Sequence, residues 1–252
     1  MPITLEKVNN HIAVMKIERP EVRNALDRKT METFRELVEH AHTIRPLHAL
    51  IITGGKDIFM AGGDLKTLHQ QMTERDGRWI SQTMSSALNR LEALPCPTIA
   101  AINGPARGGG AEIALACDLR VMDSGADLGF VQISLALVTG WGTAQRLMRM
   151  VGYSRALEWL TTAAVIDAEL CSGLGLANHQ APPGEALTEA ITLAEQISTQ
   201  PHEAVRAIKR MLRGGLHLPP ATARAGELAE FPPLWAADEH RQAVDNFLNR
   251  RQ

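Results

Sequence analysis

The sequence predicts an α/β fold: an alternating β/α body followed by a helical tail. Three observations predict it. Short apolar runs at 47–53, 98–102 and 119–122 are separated by stretches long enough for helices, the order expected of crossover units in a sheet. The composition shifts near residue 185, beyond which the segments read as helices. The chain has 252 residues, 45% of them apolar, enough to enclose a core as one large domain, or one domain with a small appendage, without disulfides.

Taken in order, residues 4–8 and the run through Ile12, Val14 and Ile17 alternate like paired strands turning at Asn9-Asn10. Arg19-Pro20 ends the second strand. Asp27 stands where an N-cap belongs. Behind it Met31, Phe34, Leu37, Val38 and Ala41 recur at helical spacing. Residues 47–53 form a short strand closed by Gly54-Gly55. In the loop that follows, Ala61-Gly62-Gly63-Asp64 leads into a helix running toward Gln71, with Asp64 as its cap. A longer helix over 79–94 ends at Pro95 and Pro97. Residues 98–102 read as a buried strand that breaks at Asn103-Gly104-Pro105. Gly108-Gly109-Gly110 then opens an amphipathic helix over 111–117. Residues 119–122 are a further strand, 128–138 are apolar and irregular, and Gly140-Trp141-Gly142 precedes a helix over 143–151. From Tyr153 onward helical segments near 154–162, 167–174, 185–199, 201–213, 220–229 and 238–250 are broken by Pro182-Pro183, Gly214-Gly215, Pro219-Pro220 and Pro232-Pro233.

Bulk properties remove several classes of function. The net charge of −2, with signs mixed throughout, argues against a dedicated nucleic-acid or anionic-membrane surface. No apolar run reaches the length of a membrane span, and residues 1–20 lack the pattern of a signal peptide. Cys96, Cys117 and Cys171 are few, odd in number and unspaced, which points to buried thiols in a reducing compartment and so to the cytoplasm. The nine histidines show no metal-ligand spacing, and no metal site is expected. The glycine run lacks the Lys-Ser or Lys-Thr of a phosphate loop, and Ile113 stands where the dinucleotide fingerprint needs its last glycine. Gly152-Tyr153-Ser154-Arg155-Ala156 approaches a serine elbow but ends in alanine with no strand before it. Ser154 reads better as a helix cap.

Two glycine-containing turns survive, each ahead of a helix. Either offers backbone N–H groups at the positive end of a helix dipole, and two such donors converging on one oxygen form an oxyanion hole. Glu112 follows Gly109 by three residues and shares its helix face, so an acid or base stands beside the donors. Ordinary loop-to-helix junctions would look the same.

The segments 59–66 and 101–118 resemble the two signature segments of the crotonase, or enoyl-CoA hydratase/isomerase, family. The resemblance extends over nearly the whole chain. It includes Arg19-Pro20-Glu21-Val22-Arg23-Asn24-Ala25-Leu26, the glycine-rich segment 140–147 ending in Gln145-Arg146-Leu147, residues 152–178 and the terminal helix. It implies a crotonase-type β/α spiral core over 1–184 and a C-terminal helical region over 185–252, assembled as trimers or dimers of trimers. It further implies an acyl-CoA thioester as substrate, with CoA part of that substrate and no separate cofactor. The chemistry implied is that of a lyase or isomerase of fatty acid metabolism. By the same resemblance the N–H groups of Gly63 and Gly109 hold the thioester oxygen. Ala61, Asp64 and Leu65 line the adenine end of CoA, and Arg23 and Ala25 lie near its phosphates and pantetheine. Asp64 reads better as a simple cap, and Arg23 reads equally as a solvated loop charge.

Hydratases of this family use two glutamates. Glu112 matches the first; Gln132 falls at the second, and no Asp or Glu occurs between Asp127 and Glu158. An amide orients water but cannot act as an acid or base near neutral pH. Val131 replaces the family's proline, and Trp141 replaces a small residue, where it either narrows the acyl pocket or is a buried aromatic. The expected activity is stabilisation of a thioester enolate, of enoyl-CoA hydratase/isomerase type. The alternatives are an acyl-CoA decarboxylase or hydrolase of the same family, and a non-catalytic CoA-ester-binding protein.

Overall fold

Strands β3 (Ala49–Gly54) and β4 (Thr98–Ile102) are buried along their whole lengths, the burial expected of central parallel strands covered on both faces. In the computed structural model, which describes residues 1–70 and 72–249, they sit at the centre of a six-stranded sheet. The remaining strands of that sheet are β1 (Ile3–Lys7), β2 (Ile12–Ile17), β6 (Leu119–Asp123) and β9 (His179–Ala181). The strand order is β1-β2-β3-β4-β6-β9, with β1 antiparallel to β2 and the other pairs parallel. A smaller sheet joins β5 (Ala106–Arg107), β7 (Asp127–Gly129) and β8 (Val165–Asp167) in the order β5-β7-β8. The expected α/β body is present.

Helices make the crossovers. The helix α1 (Arg28–Ala41) begins at Asp27, whose carboxylate accepts from the Thr30 N–H at 2.8 Å, and buries Met31, Phe34, Val38 and Ala41. The short α2 (Leu65–Leu68) begins at Asp64, which accepts from the Lys66 N–H at 3.1 Å. It ends before Gln71, which lies outside the described residues. The helix α3 (Glu74–Glu92) starts ahead of the expected 79–94 because Thr73 and Asp76 form a reciprocal capping box. The helix α4 (Gly109–Ala116) links β4 to β6 by way of β5, and all eight of its residues are buried. The expected amphipathic face is absent, because the helix is enclosed on all sides. The helices α5 (Thr143–Val151), α6 (Tyr153–Thr162) and α7 (Ala168–Gly173) follow, then α8 (Ala186–Ser198). Gly152, not Ser154, is the residue that precedes α6, so Ser154 lies inside the helix and caps nothing.

The chain divides into two compact units, Met1–Glu195 and a second beginning at Gln196. The second contains α9 (His202–His217), α10 (Pro220–Trp235) and α11 (Asp238–Asn249); residue 250, the expected end of the last helix, lies outside the described residues. Two expected breaks are absent. The helix α9 continues through Gly214-Gly215 to His217; a glycine costs a helix only about 1 kcal/mol, which neighbouring contacts can offset. The helix α10 continues through Pro232-Pro233 to Trp235, and Pro232 O still accepts from the Ala236 N–H at 3.1 Å. Within this unit Arg210 makes a bidentate pair with Glu230, both bonds 2.7 Å, which ties α9 to α10.

Candidate active site

The loop from Met60 to Asp64 is fixed by backbone bonds on both sides. On one side Ala61 N donates to Arg23 O, Leu26 N to Gly62 O, and Asp64 N to Leu26 O, at 2.7–3.0 Å. On the other, Met60 N donates to Pro105 O at 3.3 Å and Arg107 N to Met60 O at 2.8 Å. The pairing of Leu26 with Gly63 therefore uses Gly62 O and Asp64 N. It leaves the N–H of Gly63 facing the other way. Gly108 N donates to Gly129 O at 2.9 Å, and Gly109 begins α4, so its N–H has no acceptor within the helix. Among the described residues neither the Gly63 nor the Gly109 N–H has a hydrogen-bond partner.

The two turns abut. Gly62 has φ +92°, and a Cβ there would lie 2.8 Å from Gly109 N. A Cβ on Gly110 would overlap the Met60 carbonyl, and one on Gly109 would overlap the six-membered ring of Trp141. Glycine is thus required by close approach at the start of α4.

Glu112 is 2% exposed. Its Oε1 accepts from Gln132 Nε2 at 3.1 Å and Gly140 N at 3.3 Å; its Oε2 accepts from Trp141 N at 2.9 Å and Thr143 N at 3.4 Å. Burial raises the carboxyl above the usual glutamate range, against the bonds from Trp141, Thr143, Gly140 and Gln132, which favour the charged form. The donors converge because the turn 140–142 is held from α3 and α5. Ser81 Oγ donates to Gly140 O at 2.7 Å, and Arg146 donates to Trp141 O at 2.7 Å, Glu92 at 2.7 Å and Asn89 at 3.1 Å.

Gln132 stands on a short helical turn, Val131–Leu135. Only its N–H can face an ionised carboxylate, so its Oε1 points away, buried and without a partner among the described residues. The structure therefore brings Gly63, Gly109, Glu112 and Gln132 into one neighbourhood. Ala61 and Asp64 belong to the same loop. Asp64 is 6% exposed; it caps α2 and lies 3.8 Å from Arg19 Nη2. Leu65 follows it and is exposed. Ala25 is buried beside the Leu26 bridge, and Arg23 is exposed with φ 56°.

Sequence reasoning missed three supports. Asn24 is buried, and its Nδ2 donates to Gly55 O at 3.1 Å and Ile58 O at 2.8 Å, holding the first loop on the second. Arg19 spans Asp27, at 2.8 Å, and Asp64. The Gly140 and Trp141 peptide groups support Glu112 through backbone atoms, which no side-chain pattern displays. The signal available for Asn24 was its place in a turn, where asparagine tolerates positive φ; its φ is 60°.

This arrangement offers two unused N–H donors at adjacent turns and one buried carboxylate near them, the parts needed to hold charge on a carbonyl oxygen while a proton moves. Known proteins resemble the chain over nearly its whole length. The sequence profile described as enoyl-CoA hydratase/isomerase matches residues 7–252. The chain is 32% identical over 251 residues to a short-chain-enoyl-CoA hydratase of Clostridium acetobutylicum, covering 99% of this chain and 95% of that protein. It is also 32% identical over 253 residues to an ethylmalonyl-CoA decarboxylase of Gallus gallus, covering 99% and 84%. Its fold superposes on the crystal structure of an enoyl-CoA hydratase from Bacillus anthracis with a TM-score of 0.94 at 29% identity, over 99% of this chain and 97% of that one.

Proposed function

Since the chain belongs to the enoyl-CoA hydratase/isomerase family and has its crotonase-type fold, we propose that it is an acyl-CoA enzyme in which Gly63 and Gly109 hold a thioester oxygen while Glu112 moves a proton. The observation that carries this reading is the pair of unpartnered N–H groups beside a buried carboxylate whose burial raises its pKa. As the thioester becomes an enolate, negative charge gathers on its oxygen, where two fixed donors stabilise it.

One carboxylate suffices for either reaction of the pair. In isomerisation Glu112 takes the proton from the α-carbon of a 3-enoyl thioester, the electron pair passes through the enolate, and the same proton returns at the γ-carbon. In hydration Glu112 takes a proton from water as the oxygen bonds to the β-carbon, then delivers it to the α-carbon. Gln132 orients that water and carries no proton. Arg23 and Ala25 on the first loop, and Ala61, Asp64 and Leu65 on the second, hold CoA. The enzyme needs no cofactor beyond the CoA of its substrate, works in the cytoplasm, and assembles as trimers or dimers of trimers. Exposed apolar side chains on the terminal helices, among them Phe231, Trp235 and Phe247, support an assembly. Among the described residues no helix is long and apolar enough to cross a membrane.

The test is incubation with crotonyl-CoA, longer enoyl-CoAs and 3-enoyl-CoAs, with products read by mass spectrometry. Hydrated or isomerised product that disappears in Glu112→Gln supports the reading; full turnover by that variant overturns it. Decarboxylation is a second reading, favoured by Gln132, because a neutral amide does not repel a substrate carboxylate as a second glutamate would. There the bond from the α-carbon to the carboxylate breaks, its electron pair enters the enolate, carbon dioxide leaves and the α-carbon takes a proton. Release of carbon dioxide from malonyl-type CoAs, with enoyl-CoAs left unchanged, selects it.

A further inference from the structure

We propose that Trp141 sets substrate selectivity by closing the space beside the reacting carbons, so that the site takes acyl-CoA thioesters unsubstituted at the α- and β-carbons and rejects those with a methyl branch there. The proposal rests on the reading of Gly109 as oxyanion donor and Glu112 as proton carrier. Those two groups fix the ends of the reacting segment: the carbonyl oxygen on one, the carbon that gains or loses a proton beside the other.

Trp141 touches both ends. Its N–H lies 2.9 Å from Glu112 Oε2, and its ring fills the place of a Gly109 Cβ. Only 5% of the residue is exposed. Its main chain is anchored by Arg146, whose Nη1 donates to Trp141 O at 2.7 Å and whose Nε pairs with Glu92 at 2.7 Å. The peptide before it is held by Ser81 Oγ. With its main chain fixed in this way, a shift of the residue large enough to admit a wider substrate would pull its N–H off the Glu112 carboxylate. The indole, buried and packed against Gly109, is the wall on that side. A single carbon more or less in such a pocket changes kcat/KM by about 10–200-fold.

The experiment compares crotonyl-CoA with its α-methyl and β-methyl counterparts in the wild type, Trp141→Phe and Trp141→Ala. Every variant keeps the backbone N–H that supports Glu112. The wild type is expected to favour the unbranched thioester by about tenfold or more. Trp141→Ala should erase most of that preference, and Trp141→Phe should fall between. Dissociation constants for butyryl-CoA and isobutyryl-CoA, measured by calorimetry, give the same comparison without turnover, and Trp141→Phe keeps it informative if the alanine variant does not fold. Equal treatment of branched and unbranched thioesters by the wild type, or an unchanged ratio in the variants, overturns the proposal. Absence of turnover for all three enoyl-CoAs counts against the wider reading instead, and the affinity ratio still decides on Trp141.

Discussion

The Gln132 amide donates to Glu112 Oε1 across 3.1 Å, so a neutral group occupies the expected place of a second carboxylate and is bonded to the first. Glu112 is thereby surrounded by donors and faces no competing acid at that position. Replacing it with glutamine removes the proposed proton carrier and turns an acceptor into a partial donor against the N–H groups of Trp141 and Gly140. Turnover should fall by about 10²–10⁴-fold. Initial rates measured beside a circular dichroism melt separate lost chemistry from lost fold.

Gln132→Glu places two carboxyls within bonding distance. Both cannot ionise freely, so the pair should titrate in two separated steps, the upper one raised. Hydration of crotonyl-CoA should increase relative to isomerisation. Gln132→Leu removes a donor to the carboxylate and should move the acidic limb of the pH–rate profile to higher pH. An unmoved limb in the leucine variant means that Gln132 does not act on Glu112.

Burial raises the Glu112 carboxyl above its ordinary value of 4.5. The folded protein therefore binds a proton there that the unfolded chain has already released. Stability from this group is complete below the ordinary value and is lost as pH rises through the raised one. On the proposed mechanism activity should run the opposite way across the same window, because the ionised form takes the proton. Urea unfolding across that range should show stability falling with pH in the wild type and a flatter trend in Glu112→Gln.

Gly109→Ala drives a methyl into the Trp141 ring, and Gly110→Ala drives one into the Met60 carbonyl. Each should destabilise by about 1–3 kcal/mol through overpacking. Pairing Gly109→Ala with Trp141→Ala should recover stability, because the ring is what the methyl meets; Gly110→Ala should gain nothing from that partner. Denaturant midpoints of the four proteins in each cycle give the coupling directly.

The body of the fold was legible where one physical signal ruled. Asp27 capped an apolar stripe, and the 98–102 run had the length and flanking breakers of a buried strand; both are in place. Strands β5, β8 and β9, of two or three residues each, were not legible, because pairs that short carry no period of their own. Glycine and proline misled in α9 and α10, where the helical path persists despite their local cost. At the site, the residue types pointed to two glycine turns and Glu112, the family resemblance singled out Gly63 and Gly109 within those turns, and the structure brings the three together. The supports of Glu112 were not legible. They are peptide N–H groups at 140 and 141, positioned by Arg146 and Ser81 from other helices, and backbone groups have no letter in the sequence.

The enclosure of α4 sets the proposed chemistry on a fully buried element. Gly109 and Glu112 lie on a helix with no solvent-facing side, so the donor and the carboxylate cannot loosen by fraying or by local opening of a surface segment. The hydrogen-bonded amides of α4, from Glu112 onward, should exchange with solvent only through global unfolding, while the unpartnered Gly109 N–H exchanges without it. Heat should then inactivate the protein at the temperature where the whole first unit melts, with no earlier loss of activity.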